Sequence, residues 1–459
     1  MKIAFIPIDN RPVCYTLTQQ ICNIDSDIEL FMPERSLLGD LTKNADIDGI
    51  LTWLGKIQNI DKIIISLDTI AYGGLIPSRR SQDSFERISS RMEMLKEILT
   101  QKNAEVYAFS SIMRISNNNV NEEEKEYWNL YGEKIFKYSY EYNRDGKAVT
   151  DVPKDILEDY QKTRKRNFDV NKMYLQWAKE GFFRTLVFSK DDCAQYGFNV
   201  AEANELAKMI KNEQLNALVK TGADEIPLSL LSRAITQNKQ VKIAPIFTQN
   251  DSVNKISKYE DVSVLDSVKG QIELAGATFS DVGSADIILL VNNFKTEQGE
   301  LVMGVDVEGF SPDLTLPNKP FLIADILNAN GADNNFLKQL LNQKIDWNKF
   351  LGYAGWNTTG NTLGSGLCCA LVKYFAKNPD KKAFDEVQTV RFLDDWAYQA
   401  NVRKVLKSYL TKTDINEAKK HMLPFEQELK TKLGLKFANV EYSFPWDRFF
   451  EIEVRVLPL

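Results

Sequence analysis

Carboxylates that directly follow apolar runs are the residues of this sequence best suited to chemistry. Four such runs lead into Asp9, Asp68, the pair Asp191 and Asp192, and Asp325. Apolar runs of this length, separated by helical stretches, are typical of parallel strands covered on both faces. Parallel sheets bind ligands at the carboxyl ends of their strands. We therefore expect acidic side chains to gather at one edge of a sheet and to form a site.

Acid–base chemistry in this chain must rest on carboxylates. The sequence has a single histidine, His421, far from these runs, and five cysteines without metal-ligand spacing. A zinc site built from Cys and His is therefore not expected. The leading interpretation needs no metal and no cofactor.

The adjacent pair Asp191 and Asp192 is the strongest catalytic candidate. Neighbouring carboxylates repel one another unless a cation, a shared proton or separate tasks relieve them. Successive residues of a strand point to opposite sides, which fits poorly with an acid and a nucleophile facing each other at about 5 Å. The pattern favours one acid beside one orienting residue. The alternative is that one of the two caps a helix.

Two further segments contain predicted substrate-binding residues. Asp9, Asn10 and Arg11 follow the first apolar run, where Arg11 can supply planar donors and Asp9 can accept hydroxyl protons. The alternative is a turn in which Arg11 pairs with Asp9. Asp68 and Tyr72 precede a glycine pair, and Tyr72 can stack on a sugar or donate its hydroxyl. The alternative there is a tight turn with a buried tyrosine.

Three later residues complete the predicted binding set. Arg114 follows the third strong run and either belongs to the site or pairs with one of its carboxylates. Trp356 and Asn357 lie in a segment rich in Gly, Asn and Thr, where Trp356 offers a stacking face and Asn357 offers both a donor and an acceptor. The segment lacks the lysine of a phosphate loop. Its alternative is a glycine-rich turn with Trp356 packed inside.

Strand and helix patterns alternate along the chain and predict an α/β fold. The nine strand candidates are Lys2–Ile8, Lys62–Leu67, Glu105–Ser110, Thr185–Ser189, Leu215–Lys220, Lys242–Phe247, Asp286–Val291, Pro320–Ala324 and Phe350–Ala354. Because site residues follow many strands, we predict a parallel sheet closed into a (β/α)8-like barrel. Doubly wound α/β sheets are the alternative.

The predicted domain organisation has two parts. Residues 1–365 form the catalytic domain, with a helical insertion at about 117–183 after the third strand. Residues 366–459 form a cap of helices and a β-hairpin. No internal repeat is visible in the sequence.

Composition narrows the class of partner. The charged fraction of 26% and apolar fraction of 44% are those of a globular protein, and the net charge of −6 argues against nucleic acid. No run approaches the ~20 apolar residues of a membrane span, and no signal peptide is expected. We predict a cytoplasmic protein with a small saccharide as ligand, and the sequence gives no oligomeric state.

Three phrases of the sequence carry a family resemblance: residues 8–12, residues 66–74 and residues 353–358. They resemble a bacterial family catalogued only as a domain of unknown function. The Asp pair is also similar to that of barrel β-N-acetylglucosaminidases, which use the acetamido group of the substrate as nucleophile. That resemblance implies that Asp191 orients the acetamido group, that Asp192 is the general acid and base, and that Trp356 and Asn357 contact the sugar.

The resulting hypothesis is a glycoside hydrolase-like enzyme acting on an N-acetylhexosamine-containing saccharide. Two alternatives remain. One is a Mg²⁺- or Mn²⁺-dependent hydrolase or lyase that uses the strand-end aspartates, because these ions favour oxygen ligands. The other is a non-catalytic saccharide- or partner-binding protein on an enzyme-like scaffold.

Overall fold

The computed structural model describes residues 1–237 and 239–457 and shows a mixed α/β fold. The chain divides into two compact units, and each unit draws on separate parts of the sequence. The first unit comprises Met1–Asn10, Glu29–Leu230 and Tyr259–Asp261; the second comprises Arg11–Ile28, Leu231–Lys258 and Val262–Leu459.

The strands of the described residues run in chain order as follows: β1 (Lys2–Ile6), β2 (Glu29–Phe31), β3 (Lys62–Ser66), β4 (Glu105–Ile112), β5 (Thr185–Lys190), β6 (Ala217–Thr221), β7 (Lys242–Phe247), β8 (Thr278–Phe279), β9 (Ile287–Asn292), β10 (Gly299–Glu300), β11 (Phe321–Asp325), β12 (Asn328–Ala329), β13 (Phe350–Ala354), β14 (Asn439–Ser443) and β15 (Glu453–Leu457).

The α-helices are α1 (Thr16–Cys22), α2 (Ile47–Lys56), α3 (Leu67–Ala71), α4 (Leu75–Arg80), α5 (Phe85–Thr100), α6 (Trp128–Asp145), α7 (Lys154–Lys179), α8 (Phe198–Glu213), α9 (Ile226–Thr236), α10 (Val264–Leu274), α11 (Asn334–Leu341), α12 (Thr359–Phe375), α13 (Lys381–Arg391), α14 (Arg403–Tyr409) and α15 (Ile415–Lys432). A π-helical stretch, Phe392–Val402, joins α13 to α14. Short 3₁₀ turns cover Arg35–Leu37 and Asn250–Ser252.

The first unit is built on a six-stranded parallel sheet in the order β2-β1-β3-β4-β5-β6. Its four central strands are almost entirely buried, whereas the edge strands β2 and β6 are partly exposed. The Ile-, Val- and Phe-rich sequences of the central strands suit a sheet covered on both faces. The strand order changes direction between β1 and β3, which is where doubly wound sheets form ligand crevices at their carboxyl ends.

The second unit contains a five-stranded parallel sheet in the order β8-β7-β9-β11-β13. When only the strands of this sheet are counted, the order places the second strand first, followed by the first, third, fourth and fifth. The first five strands of the other sheet have the same order. Helices α10 and α12 pack on this sheet through apolar residues such as Val268, Ile272 and Leu367. The two units therefore repeat one topology, which the sequence did not reveal.

All nine predicted strand segments form strands, including the one at 215–220, which corresponds to β6. The predicted barrel does not form from them. Closure would require the outer strands of one sheet to pair with each other, and the nine segments are instead shared between two open sheets with free edges. The alternative prediction of doubly wound α/β sheets fits this architecture.

The connection from β4 to β5 contains the two long helices α6 and α7. The rings of Trp128 and Tyr160 meet between them at 5.6 Å, within a small apolar cluster that also includes Met113 and Ile135. The predicted domain boundary after residue 365 falls inside α12, and the C-terminal β14 and β15 form an antiparallel pair.

A glycine pair connects α3 directly to α4. Gly73 and Gly74 adopt φ values of +94° and +131°, a region that side chains with a Cβ rarely enter. A Cβ on Gly74 would also lie 3.1 Å from the carbonyl oxygen of Ile8. The pair is therefore required by the backbone, and it starts α4 immediately beside the end of β1.

Replacing Gly74 by alanine is expected to lower the free energy of unfolding by about 1–3 kcal/mol, because both the backbone angle and the Ile8 contact oppose a Cβ. Denaturant-induced unfolding measures this loss. Gly55→Ala is the matched control, since Gly55 lies in α2 and a Cβ there would project into open space. It should keep or raise stability because alanine favours helix. Equal stability of the two variants would contradict the argument.

Candidate functional site

The carboxyl ends of three neighbouring strands of the first unit bring ionisable residues together. Asp68 follows β3, Arg114 follows β4, and the pair Asp191 and Asp192 follows β5. Strands β3, β4 and β5 are adjacent and parallel, so their ends share one edge of the sheet. This grouping agrees with the expectation that acidic residues gather at a sheet edge.

Arg114 is shared among four carboxylates. Its Nη2 lies 2.8 Å from Glu123, its Nε 3.1 Å from Glu124 and its Nη1 3.0 Å from Asp192. The same Nη1 is 3.7 Å from Asp191. Nη2 and Nε thus each contact a different glutamate, while Nη1 contacts both aspartates, so the donors of one guanidinium are divided among several acids.

Arg79, in the last turn of α4, is the second cation of this cluster. Its Nη2 donates to Asp191 at 2.9 Å, and its Nη1 lies 3.4 Å from Glu123 and 3.5 Å from Glu124. The side chain is only 1% exposed, and its Nε has no hydrogen-bond partner. A buried guanidinium needs such acidic neighbours to offset its lost hydration. We call Arg79, Arg114, Glu123, Glu124, Asp191 and Asp192 the shared-arginine cluster.

The carboxylates of the shared-arginine cluster differ in their access to solvent. The Glu124 side chain is 4% exposed, that of Asp191 is 16% exposed and that of Asp192 is 33% exposed. Desolvation and the neighbouring charge of Asp191 raise the pKa of Asp192 above its usual range, and Arg114 and Arg79 oppose this. Asp192 is thus the acid of the cluster that combines access with a tendency to hold a proton.

The local backbone explains why the two aspartates converge. β5 ends at Lys190, and Asp192 has a left-handed φ of +39°, so the pair lies in a bend rather than on an extended strand. Both carboxylates therefore approach Nη1 of Arg114 instead of pointing to opposite sides. The alternative role as a helix cap does not apply, because α8 starts at Phe198 and is preceded by Gly197.

Asp68 lies deeper at the same edge. One carboxylate oxygen accepts from the backbone N–H of Ser111 at 2.7 Å and the other from the Ser110 hydroxyl at 3.3 Å. Burial raises the pKa of Asp68 to about 6, although these hydrogen bonds and the charge of Arg79 lower it in part. With 1% of its surface exposed, Asp68 supports the edge from beneath.

Of the remaining residues predicted in this unit, Tyr72 and Asp9 are buried, whereas Asn10 is partly exposed. The backbone of Asn10 is hydrogen-bonded at both groups. Its N–H donates to the carbonyl of Gly39, and its carbonyl accepts from Nε of Arg35. Tyr72 is buried, and the guanidinium of Arg166 lies 5.4 Å from its ring centroid. A sugar would find no open face on Tyr72.

Asp9 is buried as well, and one of its carboxylate oxygens lies within 4.8 Å of one of Asp224. Asp224 follows β6, so this is a second meeting of acids from the same unit.

Three predicted residues belong to the second unit. Arg11 is buried with its guanidinium 5.1 Å from the Trp446 ring. Trp356 is 4% exposed and its carbonyl accepts from the Thr362 hydroxyl, so its ring offers little surface for stacking. Asn357 has a φ of +60°, and its carbonyl accepts from the backbone of Asn330.

Asp325 is at the centre of a closed network in the second unit. It accepts from Asn292 at 2.9 Å, from the Tyr353 hydroxyl at 3.1 Å and from the backbone N–H of Asp333 at 2.7 Å. Burial and the charge of Asp333 raise its pKa to about 7. Asp325, Asn292 and Tyr353 are almost fully enclosed, which indicates a structural role.

Three members of the shared-arginine cluster were missed from sequence: Arg79, Glu123 and Glu124. The available signals were the Arg79-Arg80 pair soon after the glycines and the run of three glutamates at 122–124 in the long β4–β5 connection. Neither signal shows which residues these charged side chains pair with. Beside the cluster lies an open depression of about 640 Å³, whose wall includes Arg80, Asn121, Glu124, Lys125, Tyr127 and Asp159.

Comparison with known protein families shows which family the chain belongs to. The model of the family described as "Protein of unknown function (DUF4127)" matches residues 3–455. The chain belongs to this family. The resemblance predicted from residues 8–12, 66–74 and 353–358 is thereby confirmed, while the glycosidase resemblance gains no support from it.

No curated protein matches the chain. Among residues 1–237 and 239–457, no helix has both the length and the apolar character needed to cross a bilayer.

The pKa of Asp68 gives the DUF4127 chain a testable pH dependence of stability. The folded protein holds this proton more tightly than the unfolded chain, whose pKa is near 3.8. The contribution of this proton to the free energy of unfolding is therefore complete below about pH 4 and is lost as the pH rises through 6. The loss is roughly 3 kcal/mol. Asp68→Asn should remove this change. The free energy of unfolding of the variant, measured with denaturant, should therefore rise relative to that of the wild type between pH 4 and pH 7.5.

Asp48→Asn provides the control, because Asp48 is exposed on α2. It should retain the wild-type pH dependence. An Asp68→Asn variant whose stability still falls between pH 4 and pH 7.5 like that of the wild type would show that Asp68 is not the responsible group.

Proposed function

We propose that this protein is a glycoside hydrolase-like enzyme in which Asp192 donates the proton to the leaving oxygen and Asp191 orients the substrate. The substrate class is a saccharide containing an N-acetylhexosamine, whose acetamido group serves as the nucleophile. The observation that carries the proposal is the unequal sharing of Arg79 and Arg114 among the acids of the shared-arginine cluster.

Charge counting supports Asp192 as the proton donor. Four carboxylates share two guanidiniums, so the shared-arginine cluster carries an excess of two negative charges when every acid is ionised. In a partly desolvated site such an excess favours protonation of one acid. Asp192 has the raised pKa and the greatest access, as a general acid needs.

Asp191 suits the orienting role. Its carboxylate is ion-paired to Arg79 at 2.9 Å and is less exposed than that of Asp192. In substrate-assisted hydrolysis the acetamido group develops positive charge, and a fixed carboxylate stabilises it. The two neighbours thus have separate tasks, which is one of the ways to relieve the repulsion of an adjacent Asp pair.

The open depression beside the cluster supports a polyhydroxylated ligand. Its wall alternates cations, carboxylates, an amide and a phenol, namely Arg80, Lys125, Glu124, Asp159, Asn121 and Tyr127. Hydroxyl groups act as both donors and acceptors and so match a mixed wall of this kind. Its volume of about 640 Å³ also lies within the usual range of ligand sites.

Asp192→Asn is expected to slow cleavage according to the leaving group. On an N-acetylhexosaminide with an alkyl or sugar leaving group, the loss should be about 10²- to 10⁴-fold, because that oxygen needs a proton. On a 2,4-dinitrophenyl N-acetylhexosaminide the loss should be under about 10-fold, since a good leaving group departs unprotonated. Steady-state kcat/KM for both substrates measures the difference.

Asp191→Asn is the matched comparison. It should slow both substrates to a similar extent, because the orienting step precedes departure of either leaving group. Full activity of Asp192→Asn on the unactivated substrate, or no cleavage of any aryl N-acetylhexosaminide by the wild type, would refute the mechanism. Saccharide binding without turnover would instead favour the non-catalytic alternative.

A metal-dependent hydrolase is the second candidate, favoured by the approach of Asp9 and Asp224 within 4.8 Å. Hard divalent cations bind carboxylate oxygens and relieve the repulsion of two buried acids. Under this alternative, dialysis against EDTA abolishes hydrolysis, Mn²⁺ or Mg²⁺ restores it, and Asp224→Asn weakens the restoration. Activity that survives EDTA unchanged would exclude it.

A further inference from the structure

Glu123, Glu124 and Asp191 each place one oxygen against both cations of the shared-arginine cluster, and Glu123 makes the shortest of their contacts with Arg114. Its Oε2 lies 2.8 Å from Nη2 of Arg114 and 3.4 Å from Nη1 of Arg79. The contact with Arg114 is shorter than the one that Asp192 makes, at 3.0 Å. Glu123 therefore competes with the aspartates for the same guanidiniums.

The backbone around Glu123 is fixed by a neighbouring arginine. Arg80 donates from Nε to the carbonyl of Glu124 at 3.0 Å, from Nη1 to the carbonyl of Leu41 at 3.0 Å, and from Nη2 to the carbonyl of Glu122. These bonds tie down a segment between β4 and α6 that has no helix or strand of its own. The backbone on both sides of Glu123 is thus held in place, and this limits where its carboxylate can lie.

We infer that Glu123 is a positioning residue which, by engaging Arg79 and Arg114 together, keeps Arg114 from pairing fully with Asp192. The inference deepens the proposed function and rests on it, because it explains how Asp192 can keep a proton beside a guanidinium. A planar guanidinium pairs strongly when one carboxylate takes two of its N–H groups. Glu123 removes that option by occupying Nη2.

The groups that act on Asp192 give the sign of the expected effect. Asp191 and Glu123 raise its pKa, whereas Arg114 and Arg79 lower it. Removal of the Glu123 charge takes away one raising influence and frees Nη2 of Arg114 for the aspartates. Both consequences act in the same direction, so Asp192 should release its proton at lower pH.

The test is a titration of the Asp192 carboxyl in the full-length chain by ¹³C NMR with labelled aspartate, the signal being assigned by its loss in Asp192→Asn. Glu123→Gln should lower the titration midpoint by about 1 pH unit relative to wild type. Arg114→Gln should raise it. Glu133→Gln, an exposed glutamate on α6, should leave it unchanged and serves as the matched control.

Glu123→Asp separates geometry from charge and covers the case in which Glu123→Gln does not fold. It keeps the charge but withdraws the oxygen from its bridging position, so the midpoint should fall by a smaller amount. An unchanged or higher midpoint in a Glu123 variant with wild-type circular dichroism would overturn the inference.

The two proposals fail in different ways. The titration uses no substrate, so an Asp192 midpoint that shifts as expected in a protein that cleaves no saccharide would keep the role of Glu123 and reject the proposed reaction. If the protein cleaves the saccharide but the Asp192 midpoint does not respond to the Glu123 substitutions, the proposed reaction is kept and the role of Glu123 is rejected. Where both hold, the basic limb of the kcat/KM profile of Glu123→Gln should move to lower pH with the midpoint.

Discussion

The division of two guanidiniums among four carboxylates is the constraint on which the candidate site depends. Arg79 is 1% exposed and Glu124 is 4% exposed, so neither charge can be left alone without a large loss of hydration free energy. Every acid in the cluster is therefore held by a cation, and every cation by several acids. Because the acids outnumber the cations, two guanidiniums cannot neutralise all four carboxylates. Asp192 is the most exposed of the four. One set of contacts therefore pairs the buried charges and leaves Asp192 as the most accessible acid of the cluster.

The fold delivers these charges through backbone features that sequence encodes locally. Gly73 and Gly74 accept positive φ values and let α3 turn at once into the short helix α4, which carries Arg79 to the sheet edge. The left-handed conformation of Asp192 bends the chain after β5, so that both aspartates face Arg114. Parallel pairing of β4 with β5 then sets the ends of the two strands side by side. A change at Gly73 or Gly74 would alter the pairing without touching a charged atom.

The sequence predicts the local features well and the pairings poorly, for a physical reason. Burial of a strand on both faces leaves a recognisable apolar run, so all nine predicted strands exist, and the Asp pair does lie at a strand end. The same run does not say which strand lies beside it, and this is why one barrel was predicted where two sheets form. Arg79 and Asp191 are 112 residues apart, and Arg114 and Asp192 are 78 apart, distances over which neither periodicity nor spacing carries information. The aromatic residues illustrate a further limit. Tyr72 and Trp356 follow strand ends, as ligand-binding aromatics do, but a strand end does not determine whether the ring turns outward or inward.

The repeated strand order shows how one topology supports two different edges. In the second unit the carboxylate of Asp325 is satisfied by neutral donors, namely the amide of Asn292, the hydroxyl of Tyr353 and a backbone N–H. These donors are short and enclosed, and they use the acceptor positions of the carboxylate without introducing a new charge. For the Asp191 and Asp192 pair of the first unit, the donors are long arginine side chains, each able to reach several acids, and they leave Asp192 one-third exposed. Asp325 is thus buried and satisfied by neutral donors, whereas Asp192 stays accessible and shares the Arg114 guanidinium with other acids. The difference between the two edges therefore lies in the type of donor placed at the strand ends, and the sheet order alone does not determine it.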